Sequence, residues 1–167
     1  MMGDNTMTTI SSLLHPGAFL SPLAIDAAAL RALDEDLGRA GDITSIATIP
    51  ENTKARAVMV ARQAGVIAGL PLAFATLHRL ASELDIAAHC RDGAQVAEGA
   101  RLLTIAGPAR AILSAERTAL NFVGRLSGVA TLTADYVRRS AGTDPATGCH
   151  RRVCRRKYAR RHPASVL

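Results

Sequence analysis

Residues 114–126 constrain the fold of this chain most, because they read as one helix with a single polar stripe. Four polar residues recur at intervals of three, four and four, the spacing of side chains along one face of an α-helix. They are Ser114, Arg117, Asn121 and Arg125. The apolar residues predicted to cover the other sides are Ile112, Leu113, Leu120, Val123 and Leu126. An arginine here offers a rigid fork of donors for a carboxylate or phosphate, although spacing alone also fits an ordinary solvated face.

Hydrophobic periodicity and glycine or proline punctuation predict the other elements. These are a flexible start over residues 1–19, a helix from Pro22 to near Gly38, a turn at Gly41-Asp42, strands over 54–61 and 66–68, a helix over 71–82, short strands within 92–107, a helix opened by Pro108, and, after an interruption at Gly128, a further helix to about Arg139. Helices and strands are grouped separately along the chain. The sequence therefore predicts an α+β fold with N-terminal helices, a small β domain and a long C-terminal helix pair.

The predicted strands within residues 92–107 are separated by glycines and carry Val96, either Leu102 or Leu103, and Ile105 as candidate core residues. This rhythm is typical of the small barrel-sandwich of lipoyl or biotinyl carrier domains. A carrier domain needs a lysine displayed at a hairpin tip. The only lysines are Lys54 and Lys157, and neither lies in such a turn. The rhythm therefore predicts a shared fold without the carrier function.

Two groups of residues resemble metal ligands without the spacing of a metal site. The acidic group is Asp34, Glu35, Asp36 and Asp42, and adjacent carboxylates on a helix point in different directions. The second group is Cys149, His150, Cys154 and His162, whose spacing matches no standard zinc finger. We expect no metal site in this chain.

Three blocks of sequence carry a family resemblance. They are Glu-Asp-Leu-Gly-Arg-Ala-Gly-Asp-Ile-Thr-Ser at 35–45, Ala-Arg-Gln-Ala-Gly-Val-Ile-Ala-Gly-Leu at 61–70, and Ala-Glu-Arg-Thr-Ala-Leu-Asn-Phe at 115–122 followed by Arg-Leu-Ser-Gly-Val-Ala-Thr at 125–131. In order and separation they resemble the N-terminal domain of quinolinate phosphoribosyltransferase, also called carboxylating nicotinate-nucleotide pyrophosphorylase. The resemblance covers roughly residues 20–143.

The resemblance stops after Gly142-Thr143, where the family continues into a phosphoribosyltransferase barrel with a Thr-Arg-Lys-Thr motif. Residues 144–167 instead hold seven of the 20 Lys and Arg residues and one of the 14 Asp and Glu residues, so the net charge of +6 belongs to this tail. A basic tail can bind nucleic acid, whereas an Arg-rich run without apolar periodicity also fits out-of-frame or truncated sequence. We favour the second interpretation and expect the tail to be disordered.

The resemblance implies a specific reaction. Quinolinate and phosphoribosyl pyrophosphate, with magnesium, would give nicotinate mononucleotide, carbon dioxide and pyrophosphate, a step of NAD synthesis. It also implies a dimer in which this domain of one subunit covers the barrel of the other. By residue-level correspondence, Arg117 would help to bind the carboxylates of quinolinate. No other active-site residue and no cofactor site carries over, because those residues of the family lie in the barrel.

We therefore expect a truncated, catalytically inactive form of such a transferase. Release of labelled carbon dioxide from quinolinate by this chain would contradict that expectation. Two alternatives stay open: a non-catalytic cap domain that pairs with a full-length enzyme, and nucleic-acid binding through the tail. No run reaches the roughly 20 apolar residues of a membrane span, and the start lacks a basic signal region. With an odd set of three cysteines, these features predict a cytoplasmic protein.

Overall fold

The structure is a computed structural model that describes residues 8–18 and 20–140. In chain order the elements are α1 (Ile10–Leu13), α2 (Pro22–Leu37), α3 (Ile43–Thr48), β1 (Lys54–Val60), β2 (Gly65–Val66), α4 (Leu70–Leu80), β3 (Asp85–Ala88), β4 (Gln95–Val96), β5 (Arg101–Pro108) and α5 (Ala109–Ser140). Helices and antiparallel strands share one small fold, so the α+β prediction is confirmed. Within the described ranges, no helix combines the length and apolar character needed to cross a bilayer.

The strands form two small antiparallel sheets. The larger sheet has the order β1-β5-β3, with Lys54 opposite Pro108 at one end and an irregularity in register between Met59 and Val60. The smaller sheet pairs β2 with β4. The central strand β5 is buried at Leu102, Leu103 and Ile105, whose side chains pack in the main hydrophobic core.

The main core lies between the sheets, α4 and the first half of α5. Leu70, Ala73 and Leu77 of α4 are almost completely buried, and Leu103 of β5 is fully buried against the same cluster. On its opposite side α4 packs on α2 through Ala75, where a second cluster includes two buried α2 residues. These residues are Ile25 and Ala29. The long sides of α4 are thus covered by two different layers.

A single helix replaces the predicted C-terminal helix pair. The helix α5 runs without a break through Gly124 and Gly128, so the predicted interruption at Gly128 is wrong. A glycine in a helix interior costs about 1 kcal/mol relative to alanine, which tertiary contacts can outweigh. Ser127 and Thr131, on either side of Gly128, both hydrogen-bond to the segment that joins β2 to α4.

These two hydroxyls fix the edge of β2. The Oγ1 atom of Thr131 accepts from the Val66 amide at 2.9 Å, and Ser127 Oγ accepts from the Ala68 amide at 3.0 Å. Four residues of a helix rise about 6 Å, close to the rise of two residues in an extended strand. The matched spacing lets α5 supply the hydrogen bonds that a neighbouring strand would otherwise make.

Other predicted features differ locally from the structure. Residues 10–13, expected within the flexible start, form α1, and Leu13 is buried in the main core. Asp42, predicted in a turn, is the N-cap of α3, because its carboxylate accepts the Ser45 amide at 3.0 Å. Pro108 ends β5, and α5 begins at the next residue.

Contacts divide the chain into two compact units, Met1–Thr131 and Leu132–Leu167, with the boundary inside α5. In the second unit, the structure describes only residues 132–140, where Asp135 pairs with Arg138 and Arg139 on consecutive helical positions. The expectations of a disordered tail over 144–167, and of no zinc site there, concern residues outside the described part of the chain.

Candidate functional site

The predicted polar stripe of α5 lies beside Asp36, in the last turn of α2, and Asp42, the N-cap of α3. Ser114 Oγ donates to Asp42 Oδ2 at 2.9 Å, so this hydroxyl is occupied within the fold and is not directed at a ligand. Arg117 Nη1 donates to Asp36 Oδ1 at 3.4 Å. The first and third of the resemblance blocks therefore contact each other through two polar pairs.

Asp36 joins an exposed arginine to a buried threonine. The side chain of Arg117 is 79% exposed, whereas that of Asp36 is 20% exposed. The second carboxylate oxygen of Asp36 accepts from Thr118 Oγ1 at 3.1 Å, and Thr118 is buried at 4% exposure. Sequence reasoning did not single out Thr118, although its place one residue after Arg117 in an otherwise apolar face was a usable signal.

Asp42 is fixed by hydrogen bonds from two elements. Those from the side chain and backbone of Ser45 are the largest cause that lowers the pKa of Asp42 below 3.8, with a smaller contribution from Ser114. At its other end, α3 is held by Arg110, whose Nε atom donates to the Ile49 carbonyl at 2.8 Å. The short helix α3 is therefore attached to α5 at both of its ends.

A depression of about 600 Å³ opens beside Arg117. Its lining residues come from α2, α4 and α5; they are Ala32, Glu35, Asp36, Leu72, Arg117, Thr118, Asn121, Phe122, Arg125 and Leu126. Three of the four predicted stripe residues thus line one cavity, while Ser114 lies in a smaller neighbouring depression of about 350 Å³. Arg117 lines both depressions.

The apolar cover predicted around the stripe is only partly correct. Ile112 and Val123 are buried in the main core. Leu113, Leu120 and Leu126 are instead exposed at 44%, 46% and 38%, so they lie outside the core. Leu126 lines the larger depression beside Gly69, and Leu113 lines the smaller one.

The described residues do not offer a metal site. No three His, Cys, Asp or Glu side chains in residues 8–18 and 20–140 lie close enough together to hold an ion. Asp36 and Asp42 already accept hydrogen bonds from Thr118, Ser45 and Ser114, which occupies oxygens that a magnesium ion would need.

Comparison with known proteins assigns the family. The sequence profile described as "Quinolinate phosphoribosyl transferase, N-terminal domain" matches residues 42–127, slightly more than half of the chain. The chain belongs to this family. The matched range contains the polar stripe, the Asp42 cap, and the contact between Ser127 of α5 and the Ala68 amide.

Two solved structures share the fold of this quinolinate phosphoribosyltransferase N-terminal domain. NadC from Streptococcus pyogenes matches with a TM-score of 0.71 and 33% identity over 77% of this chain and 45% of its own. The nicotinate-nucleotide pyrophosphorylase of Francisella tularensis matches with a TM-score of 0.67 and 30% identity over 72% and 42%.

Curated relatives agree with this assignment. The carboxylating nicotinate-nucleotide pyrophosphorylase of Mycobacterium leprae is 42% identical over 115 residues, which are 68% of this chain and 40% of that protein. The chloroplastic rice enzyme of the same description is 41% identical over 102 residues, 61% of this chain and 28% of that protein. The chain thus spans less than half the length of each relative named here.

Proposed function

We propose that this chain acts as the substrate-capping domain of a quinolinate phosphoribosyltransferase and that Arg117 binds a carboxylate of quinolinate. The observation that carries the proposal is the position of Arg117 at the edge of two depressions, with its side chain 79% exposed. One of its terminal nitrogens contacts Asp36, and its other N–H donors are open to a ligand. A planar guanidinium can donate two parallel hydrogen bonds to one carboxylate.

The reaction of the complete enzyme would require positive groups such as this arginine. The pyridine nitrogen of quinolinate would bond to the ribose carbon as pyrophosphate leaves phosphoribosyl pyrophosphate. The adjacent carboxylate would then depart as carbon dioxide, and the electron pair left on the ring carbon would take up a proton from solvent. The product would be nicotinate mononucleotide. A dicarboxylate and a pyrophosphate both call for positive groups at the site. Arg117 and Arg125 are the two such groups in the larger depression.

We further propose that the domain works at an interface, as one half of a homodimer or beside a full-length subunit. The exposed leucines near Arg117 support this, since apolar surface beside a binding residue favours a covering partner. Magnesium would serve the complete reaction. Because the described residues do not fit the ion, no step that we assign to this chain involves it.

The two small sheets are consistent with the predicted barrel-sandwich, which we propose as the architecture of the β region. Glycines with positive φ at Gly93 and Gly99 support it, because both make turns beside β4. A carrier function finds no support, since Lys54 is paired with Pro108 inside β1. We propose a cytoplasmic location, which the odd number of cysteines favours.

A second function remains as an alternative: a non-catalytic cap that binds and regulates a complete enzyme. The exposed apolar face of α5 favours it as well. The two functions differ in one respect. A regulatory cap would form a stable heterodimer with a full-length transferase and change its rate, whereas a transferase domain would supply Arg117 to quinolinate.

Quinolinate binding to the full chain tests the proposed function. We expect NMR titration to show weak but saturable binding, with Kd on the order of 1 mM for a site built on one arginine. Arg117→Ala should weaken it by about tenfold or more, because hydrogen bonds to charged groups contribute about 1.5–3 kcal/mol. Nicotinate, which has one carboxylate, should bind less tightly than quinolinate.

Arg56→Ala is the matched control. Arg56 is exposed on β1 and outside both depressions, so this variant removes the same charge elsewhere. We expect its affinity for quinolinate to stay within about twofold of the unchanged chain, since exposed distant charges are screened by salt. Equal losses in the two variants would mean that net charge alone attracts the ligand, and the proposed function would fail.

A further inference from the structure

The Arg117 side chain is long and exposed, so its conformation decides how well it can bind. An unrestrained arginine loses rotamer freedom when a ligand immobilises it, and this loss weakens binding. A side chain that is already held near its bound position loses less. The structure shows one protein contact to its guanidinium, the 3.4 Å contact to Asp36.

The Asp36 carboxylate is itself held by a rigid donor. Thr118 Oγ1 donates to Asp36 Oδ2 at 3.1 Å from a position with 4% exposure. A β-branched side chain in a helix has few χ1 states, and burial restricts this one further. With Oδ2 fixed in this way, Oδ1 is directed at Arg117 Nη1.

We propose that Asp36, oriented by Thr118, is a positioning residue that holds the Arg117 guanidinium at the depression for an incoming carboxylate. Asp36 accepts a hydrogen bond from one terminal nitrogen of Arg117, and the other N–H donors of the guanidinium stay available to the ligand. The proposal rests on the proposed function of Arg117 and adds how that arginine is prepared for binding. Neither Asp36 nor Thr118 has to touch the ligand.

The charge of Asp36 acts in the opposite direction. A carboxylate beside Arg117 repels an anionic ligand, so a substitution of Asp36 would change positioning and repulsion together. Thr118→Val avoids this ambiguity, because it removes the hydroxyl and leaves every charge in place. It also keeps the branched shape of a buried side chain.

Ser114→Ala is the matched control. It removes a hydroxyl-to-carboxylate hydrogen bond of similar length from the same helix, but its acceptor is Asp42, which does not contact Arg117. Quinolinate titrations on the full chain would compare five proteins: unchanged, Thr118→Val, Ser114→Ala, Arg117→Ala, and Arg117→Ala combined with Thr118→Val.

We expect Thr118→Val to weaken quinolinate binding by roughly three- to tenfold, the range for freeing one long side chain. Ser114→Ala should change the affinity by less than about twofold. In the Arg117→Ala background, Thr118→Val should have no further effect, because a residue that acts through Arg117 cannot act without it. A second readout needs no ligand: rotation about the Arg117 Cζ–Nε bond, followed by NMR, should be faster in Thr118→Val than in Ser114→Ala.

The outcomes separate this inference from the proposed function. If Arg117→Ala binds quinolinate as well as the unchanged chain, the proposed function fails, and the rotation measurement alone decides the positioning. If Arg117→Ala weakens binding while Thr118→Val resembles Ser114→Ala in both readouts, only the positioning role is overturned. An equal loss from Thr118→Val with and without Arg117 would assign Thr118 a general structural role and also overturn it.

Discussion

At the scale of single residues, several acidic side chains have a structural role, because they accept hydrogen bonds from backbone amides or hydroxyls. Asp36 and Asp42 each accept a hydrogen bond from a hydroxyl group of α5. Asp92, which the sequence did not single out, accepts the Gly69 and Leu70 amides at 2.9 and 3.0 Å and so caps the start of α4 from a distant turn. Burial raises the pKa of Asp92 in spite of these two bonds.

The pKa of Asp42 provides a residue-scale prediction. Its folded pKa is below 3.8, so the group stabilises the fold above pH 3.8, and this stabilisation is lost as the pH falls through the lowered value. Ser45→Ala removes the hydroxyl that contributes most. We therefore expect the Asp42 pKa, followed by carbon-detected NMR of the carboxyl group, to rise toward 3.8.

Ser114→Ala is again the comparison, because its hydrogen bond lowers the same pKa by less. The upward shift should be larger for Ser45→Ala than for Ser114→Ala. A larger shift from Ser114→Ala would show that the contact to α5, rather than the cap of α3, controls Asp42.

At the scale of elements, the close approach of the β2–α4 segment to α5 decides the architecture. A Cβ atom at Gly65 would lie 2.6 Å from Thr131 Oγ1, and one at Gly69 would lie 3.0 Å from the Phe122 carbonyl oxygen. The glycines of the 61–70 block are therefore required where the backbone meets the helix. The second and third blocks of the resemblance are in contact, with small residues on the first side and the hydroxyls of Ser127 and Thr131 on the other.

Two glycine substitutions should have opposite effects on stability. Gly69 has φ of +99° and no room for a side chain, so Gly69→Ala should lower the unfolding free energy by about 1–3 kcal/mol. Gly124 lies within α5 with open space around it, so Gly124→Ala should raise the unfolding free energy by about 0.5–1 kcal/mol. Urea denaturation of the two variants tests both signs. Destabilisation by Gly124→Ala would mean that this face of α5 is covered in solution.

At the scale of the whole molecule, exposed apolar side chains lie beside Arg117, the proposed binding residue. Leu113 and Leu120 lie on the same face of α5 as Arg117, one turn before it and one turn after it. Both are nearly half exposed. Apolar surface next to a binding residue is typical of an interface that another subunit covers.

We expect the chain to self-associate at concentrations of about tens of micromolar, the range in which exposed apolar faces of this size pair. Sedimentation velocity should show the mean sedimentation coefficient rising with concentration. Leu113→Gln combined with Leu120→Gln should remove most of that rise, because the apolar area on this face is lost.

The matched control combines Val58→Thr with Val60→Thr on β1. These valines are exposed at 45% and 47%, close to the values for the two leucines, but they lie away from Arg117. Association should persist in this control. If both double variants reduce association equally, the α5 face has no special role, and the proposed interface is wrong.

The sequence by itself determined the family, the order of the helices and strands other than α1, α3 and β3, and Arg117 as the candidate ligand-binding residue. These features follow from local periodicity, helix caps and sequence motifs, all of which lie within short segments of the chain. The helix from Pro22 to Gly38 is an example, since its proline, its apolar repeat and its glycine are all local signals.

Only the tertiary structure decided which residues meet. Asp36 and Thr118 are 82 positions apart, and Val66 and Thr131 are 65 apart, so no local pattern could join them. The contact of Thr131 with Val66 lies just beyond Gly128, through which α5 continues without a break. Long-range hydrogen bonds and packing outweigh the small local preferences from which a helix is predicted, and they determine the site around Arg117.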